Sequence, residues 1–201
     1  MSSISTWYKM GGMKLLILGS SVTYGYGCFG HSFADYLAKE GGFAVEKEAV
    51  SGTTLALSFP ESYLQRLRER GDLGGFDFLL VQLSTNDASR GAEAGRADSK
   101  DPYTTGGAIN AIIDLANESG LPVAFFSTPR FDASPYRETV SLMKEIAARR
   151  EVPFLNLAED ENFLATARRP GFYLDSVHPT RKGHRELIGP AILSFLRSLE
   201  A

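Results

Sequence analysis

The chain has 201 residues, 43% of them hydrophobic and 22% charged, which is enough for one α/β core and an ordinary globular composition. Twenty-one Lys and Arg against twenty-four Asp and Glu leave a net charge of −3, so there is no long-range attraction for nucleic acid or anionic lipid. The single cysteine, Cys28, excludes an internal disulfide, and three histidines leave little material for a protein-only zinc site. No apolar run approaches the ~18 residues of a membrane helix and no secretory leader pattern opens the chain, so a cytoplasmic location is expected.

Residues 1–12 are polar and end in Gly11-Gly12, and are expected to form a loose arm ahead of one domain spanning 13–201. Lys14 to Leu18 is a continuous apolar run stopped by Gly19, the pattern of a strand buried on both faces. Phe33, Tyr36 and Leu37 then fall at helical spacing, closed by Gly41-Gly42. Phe43 to Val50 carries Glu46, Lys47 and Glu48 and reads as an edge strand. Tyr63, Leu64 and Leu67 make a second helical stripe ending at Gly71, and Phe76 to Leu83 makes a third strand. The stretch 88–106 is longer than a routine connection and reads equally as a lid or a solvated insertion.

Ile109, Ile112, Ile113 and Ala116 predict a third helix stopped at Gly120-Leu121-Pro122, followed by a strand at Val123 to Phe126. Tyr136, Val140, Met143 and Ala147 predict a fourth helix, and Val152 to Leu155 a fifth buried strand. Leu187, Ala191 and Phe195 mark the last helix, with a kink or restart at Gly189-Pro190. Five alternations of strand and helix predict a flavodoxin-like α/β/α sandwich of three layers around a five-stranded parallel sheet.

In such sheets ligands bind beyond the carboxyl ends of the strands. Ser20-Ser21 follows the first strand, Ser51-Gly52 the second, Asn86-Asp87 the third, and Asp175 to Pro179 precedes the last helix. This set suits acyl transfer. A serine hydroxyl becomes a competent nucleophile only beside a base, for which His178 is the candidate. Asp175, three residues earlier, is placed to orient the imidazole. The backbone N–H groups of Ser21 and Gly52 and the amide of Asn86 are candidate donors to an oxyanion.

The same residues carry a resemblance to the SGNH (GDSL-type) hydrolase family. Gly19-Ser20-Ser21-Val22-Thr23-Tyr24-Gly25 is similar to its Gly-Asp-Ser-x-Thr-x-Gly block, Asn86-Asp87 to its Asn-Asp block and Asp175-Ser176-Val177-His178-Pro179 to its Asp-x-x-His-Pro block. Ser20 stands where the block has Asp, and Ser84 where the third block opens with Gly. The resemblance implies catalytic Ser21, Asp175 and His178 and an oxyanion hole of Ser21, Gly52 and Asn86. It further implies an esterase acting on acetylated carbohydrates, lipids or simple acyl esters. The compact chain points to a small O-acyl, for instance acetyl, group, and the acyl-serine chemistry requires no cofactor and no metal. An acyltransferase using the same site and a non-enzymatic flavodoxin-like binding domain are the competing readings. The expected partner is a small-molecule acyl ester.

Other features read more plainly. His184 is expected at the surface or in helix packing, and His31 as structural. Gly25 to Gly30 spells Gly-x-Gly-x-x-Gly, but six residues separate it from its strand, against the dinucleotide-binding context. Cys28 reads as a small buried apolar group. Arg66/Arg68/Arg70, Arg149-Arg150, Arg168-Arg169 and Arg181-Lys182/Arg185 read as solvated faces. Tyr24, Tyr26, Phe29, Phe59, Phe172 and Tyr173 lie beside the expected rim as pocket or core residues.

Overall fold

The computed structural model describes residues 12–132 and 134–199. The arm expected over residues 1–12 lies outside them except for Gly12, whose N–H donates to the Gly42 carbonyl at 3.0 Å.

Five strands, β1 (Lys14–Gly19), β2 (Ala44–Ala49), β3 (Phe78–Gln82), β4 (Val123–Ser127) and β5 (Phe154–Asn156), form one sheet in the order β2-β1-β3-β4-β5. Every pairing is parallel. This is the flavodoxin-like order, and the reversal of winding at β1 opens a crevice at the carboxyl ends of β1 and β3.

The two-residue period of the strands divides the core. Leu16 and Leu18 of β1, Leu79 and Val81 of β3 and Phe125 of β4 face one layer. That layer consists of α3 (Tyr63–Arg70), α5 (Thr105–Glu118) and α6 (Tyr136–Arg150), which press Leu64, Leu67, Ile109, Ile112, Val140 and Met143 onto the sheet. Leu15, Ile17, Leu80, Ala124 and Phe126 face the opposite layer. There α2 (Phe33–Gly41), α7 (Glu161–Ala167) and α9 (Gly189–Ser198) contribute Phe33, Leu37, Phe163, Ile192 and Leu196. Each fully buried Leu, Ile or Phe stabilises the fold by about 1.5–3 kcal/mol, and truncating Phe126 to Ala would cost about 3–5 kcal/mol.

Local signals set the element ends. Ser32 caps α2 through a capping box with Asp35, whose carboxylate accepts the Ser32 N–H at 2.8 Å, and Gly42 closes the helix in a left-handed turn. Thr104 caps α5 by accepting the Gly107 N–H at 3.1 Å.

Four sequence expectations need correction. The strand at Val152 to Leu155 shortens to Phe154–Asn156, lies at a sheet edge and is only half-buried, because no further strand among the described residues covers it. The helix α7 was not expected; Asp160 caps it by accepting the Asn162 and Phe163 N–H groups. The last helix buries Ile188, Ile192, Leu193 and Leu196 rather than Leu187, Ala191 and Phe195, which are only half-buried. A short α8 (Arg181–Gly183) runs into a π-helical turn (His184–Ile188) before α9 begins at Gly189-Pro190. Finally, Arg66 is buried and Arg70 largely so, with Glu46 and Glu48 as partners, whereas Arg68 is exposed as expected.

The 88–106 stretch starts inside α4 (Asn86–Ser89), ends inside α5 and is packed down. The Thr105 and Gly106 N–H groups donate to Glu93 and Ala94 carbonyls, the Asn110 amide holds the Ala97 and Ser99 carbonyls at 3.0 Å, and Ala97 is buried.

Candidate active site

Strand β1 ends at Gly19, and the chain turns at once into α1 (Ser21–Tyr24). A β-carbon on Gly19 would collide with the Thr23 side chain, so this turn needs glycine. The turn hangs from Gln82, the fully buried last residue of β3, whose Oε1 accepts the Ser20 N–H at 3.2 Å, the Thr23 N–H at 3.1 Å and the Thr23 hydroxyl at 2.8 Å. Ser20, where the family block has Asp, sits in this buried network, its Oγ 3.5 Å from Gln82 Nε2.

Ser21 opens α1 and meets the far end of the chain. Its Oγ lies 2.9 Å from Nε2 of His178, and Nδ1 of His178 lies 2.8 Å from Oδ2 of Asp175. The intervening loop is a tight turn in which the Leu174 N–H donates to the His178 carbonyl at 2.7 Å. The other Asp175 oxygen accepts the backbone N–H groups of Val177 and His178, each at 2.8 Å. Partial burial pushes the Asp175 carboxyl up, but the hydrogen bonds from the His178 ring and from these two N–H groups outweigh it and leave it below its ordinary value. Asp175 is therefore a carboxylate at neutral pH and can only accept, so the Nδ1 proton belongs on His178 and Nε2 is left to accept from Ser21.

Gly52 and Asn86 are joined through Thr53. The Asn86 amide donates to the Thr53 carbonyl at 2.9 Å, as does Ser84 Oγ at 3.1 Å, and the Asn86 N–H donates back to Ser84 Oγ at 3.0 Å. Ser84 thus ties the two loops together where the family block has Gly. Gly52 itself is exposed, has φ +80° and has open space where a side chain would be. Its loop is held to the Ser20-Ser21 turn by Arg66, whose Nη2 donates to the Gly19 carbonyl at 2.9 Å and to Thr53 Oγ1 at 3.3 Å. Asp87 is fully buried and accepts the Leu55 and Ala56 N–H groups. Desolvation raises its carboxyl above the ordinary value against these bonds.

Arg130 braces the opposite side. Its guanidinium grips Asp132 through two bonds, at 2.7 and 3.0 Å, and donates to the Thr85 carbonyl at 2.7 Å. Asp132 accepts Ser176 Oγ at 3.1 Å, and the Phe131 N–H donates to the Ser176 carbonyl at 2.8 Å. The segment carrying Asn86 and the loop carrying Asp175 and His178 are thereby linked.

Tyr26 packs against the His178 ring, with centroids 4.5 Å apart. Leu174 lies over Gly27, and Phe29 is 93% exposed. Cys28 is buried, as expected, and burial pushes its thiol up. His184 is buried in the π-helical turn, away from the surface, and His31 is exposed, 3.4 Å from Asp35. Among the described residues no cluster of His, Cys, Asp and Glu has metal-site geometry, and no helix is long and apolar enough to cross a membrane.

Gln82, Arg66 and Arg130 were missed from sequence. A glutamine ending an apolar strand, and an arginine three residues after Tyr63 on the buried helix face, were the available signals.

No curated protein matches the chain. Among solved structures, it superposes on a protein from Lactobacillus plantarum with TM-score 0.76, 22% identity and coverage of 92% of this chain and 97% of that one. A lipolytic protein of the G-D-S-L family from Desulfitobacterium hafniense DCB-2 gives TM-score 0.72 at 14% identity, over 91% and 99% of the two chains. A GDSL-like lipase from Bacteroides thetaiotaomicron VPI-5482 gives 0.64 at 21%, over 94% and 87%. These likenesses show the shared fold. The model of the GDSL-like Lipase/Acylhydrolase family matches residues 17–186, and the chain accordingly belongs to that family of serine hydrolases acting on esters.

Proposed function

We propose that the protein hydrolyses small O-acyl esters through an acyl-serine intermediate. The observation that carries the reading is the unbroken line Ser21 Oγ, His178 Nε2, His178 Nδ1, Asp175, with hydrogen-bond distances of 2.9 and 2.8 Å at its two joints.

Ser21 attacks the ester carbonyl while its proton passes to Nε2 of His178, and Asp175 stabilises the imidazolium that forms. The oxyanion is held by the Ser21 and Gly52 N–H groups and by the Asn86 hydrogen not engaged by Thr53. His178 then gives its proton to the departing alcohol oxygen. Water attacks the acyl-Ser21 ester with His178 again as base, releasing the acid. Tyr26 against His178, and Leu174 over Gly27, narrow one side of the Ser21–His178 couple, which supports a short acyl group.

The test is a 4-nitrophenyl ester series from acetate upward on the wild type, Ser21→Ala and His178→Ala, with fluorophosphonate labelling mapped by peptide mass. Fastest turnover on the shortest esters, losses of at least ~10³ in kcat for both variants and a label on Ser21 are expected. A label on Ser20, or a Ser21→Ala enzyme of undiminished activity, overturns the assignment.

A further inference from the structure

A cavity of about 810 Å³ adjoins this site at Asp175, and its charge is unusual for a chain of net charge −3. Four arginines line it, Arg130, Arg137, Arg168 and Arg169. Its three carboxylates are already engaged: Asp132 by Arg130 and Ser176, Glu159 by Lys144 and Asn156, and Asp175 by His178. Among the described residues Arg137, Arg168 and Arg169 have no carboxylate within ion-pair distance and no side-chain hydrogen bond. The floor is apolar and buried, from Val140, Leu164 and Ala167. Two hydroxyls of the wall, Ser134 Oγ and Tyr173 OH, are buried without partners, a polar demand the described residues leave unmet. Arg168 lies over the Phe131 ring, 5.7 Å from its centroid, an arrangement that leaves its N–H donors free. The volume is that of a small-molecule site, and three guanidiniums without carboxylate partners above an apolar floor suit a ligand with an anionic end and a carbon body.

We propose that this cavity receives the alcohol arm of the ester, and that this arm carries a carboxylate or phosphate. The inference rests on the esterase reading of Ser21 and His178 and extends it to substrate class. The alcohol oxygen takes its proton from His178, so the alcohol departs over the imidazole. Beyond the imidazole lie Asp175 and the cavity. The cavity wall also reaches the Asn86 segment, through Arg130 and the Thr85 carbonyl, while Tyr26 and Leu174 crowd the site from another side.

The experiment compares 4-acetoxybenzoate with its methyl ester, methyl 4-acetoxybenzoate, which differ in the charge of the alcohol arm. 4-Nitrophenyl adipate and its methyl ester move the charge to the acyl arm. At low ionic strength kcat/KM is expected to favour 4-acetoxybenzoate over its methyl ester by about tenfold, with no such preference in the adipate pair. The preference should shrink with added salt, fall about tenfold in Arg168→Gln and invert in Arg168→Glu. Calorimetry of 4-acetoxybenzoate on Ser21→Ala, with and without Arg168→Gln, reads binding without turnover.

Equal treatment of both acetoxybenzoates in hydrolysis and in binding overturns the anionic arm while leaving the esterase standing. A preference confined to the adipate pair overturns the assignment to the alcohol arm. No hydrolysis of any ester, with arginine-dependent binding intact, overturns the esterase reading and the arm assignment with it, and keeps the anion site.

Discussion

His184 gives the protein a calculable weakness to acid. The imidazole is 2% exposed, neither ring nitrogen has a partner among the described residues, and the Phe33 ring lies 6.2 Å away between centroids. Burial, reinforced by the positive charge of Lys47 and opposed by Asp35, lowers its pKa from 6.5 to about 4. In the unfolded chain the same ring titrates near 6.5. Between these values the unfolded state binds the extra proton, so stability is complete above about pH 6.5 and declines as pH falls toward 4. A gap of about two and a half pH units is worth about 3 kcal/mol, of which about 2.5 kcal/mol is already lost at pH 4.5. Asp87 works in the opposite sense, since its raised carboxyl takes up a proton more readily in the folded state. The wild type must therefore be compared with His184→Leu, which removes the imidazole and keeps the apolar volume. Urea unfolding at pH 7.5 and 4.5 should show the wild-type midpoint dropping about 1 M further than that of the variant. Equal drops in the two proteins refute the reasoning, as does a directly titrated His184 ring with an ordinary midpoint by NMR in the wild type.

Asn86→Ala should lower kcat by about 10²–10³ with little change in KM for a neutral acetyl ester, measured by steady-state hydrolysis. Gln82→Met leaves the buried Ser20 and Thr23 N–H groups without an acceptor and should cost about 2–4 kcal/mol in urea unfolding. Arg130→Gln breaks the brace between Thr85 and Ser176; kcat is expected to fall about tenfold with a smaller effect on KM. Arg130→Lys should restore little of this, because an ammonium cannot grip Asp132 through two parallel bonds.

The strands could be read from sequence where burial on both faces makes apolar residues continuous, as at Leu15 to Leu18, and where a half-solvated strand mixes charges into the run, as at Glu46 to Glu48. The residues after each strand could be read because the topology of a parallel sheet sends them to one rim. Illegible were the features that depend on tertiary partners. Val152 to Leu155 looks like a central strand because periodicity cannot report the missing neighbour. The last helix reads one residue out of phase because Leu187-Ile188, Ala191-Ile192 and Phe195-Leu196 are adjacent apolar pairs, and periodicity does not say which member of each faces the sheet. Arg66 reads as solvent-facing because local charge statistics say nothing of the Gly19 and Glu48 carbonyls that await it. The long 88–106 stretch is indistinguishable from a lid until the Asn110 amide is seen fastening it.

The serine and histidine that meet at this rim are separated by 157 positions along the chain. Each is set by a different stretch of the chain: the serine by a turn slung from the central strand, the histidine by a loop beyond the last strand. On the reading proposed above, a half-formed chain carries an inert hydroxyl, and reactivity switches on only as the final segments dock. Labelling by a serine-directed phosphonate during refolding would thus act as a clock for completion of the whole architecture, later than any signal from the sheet alone.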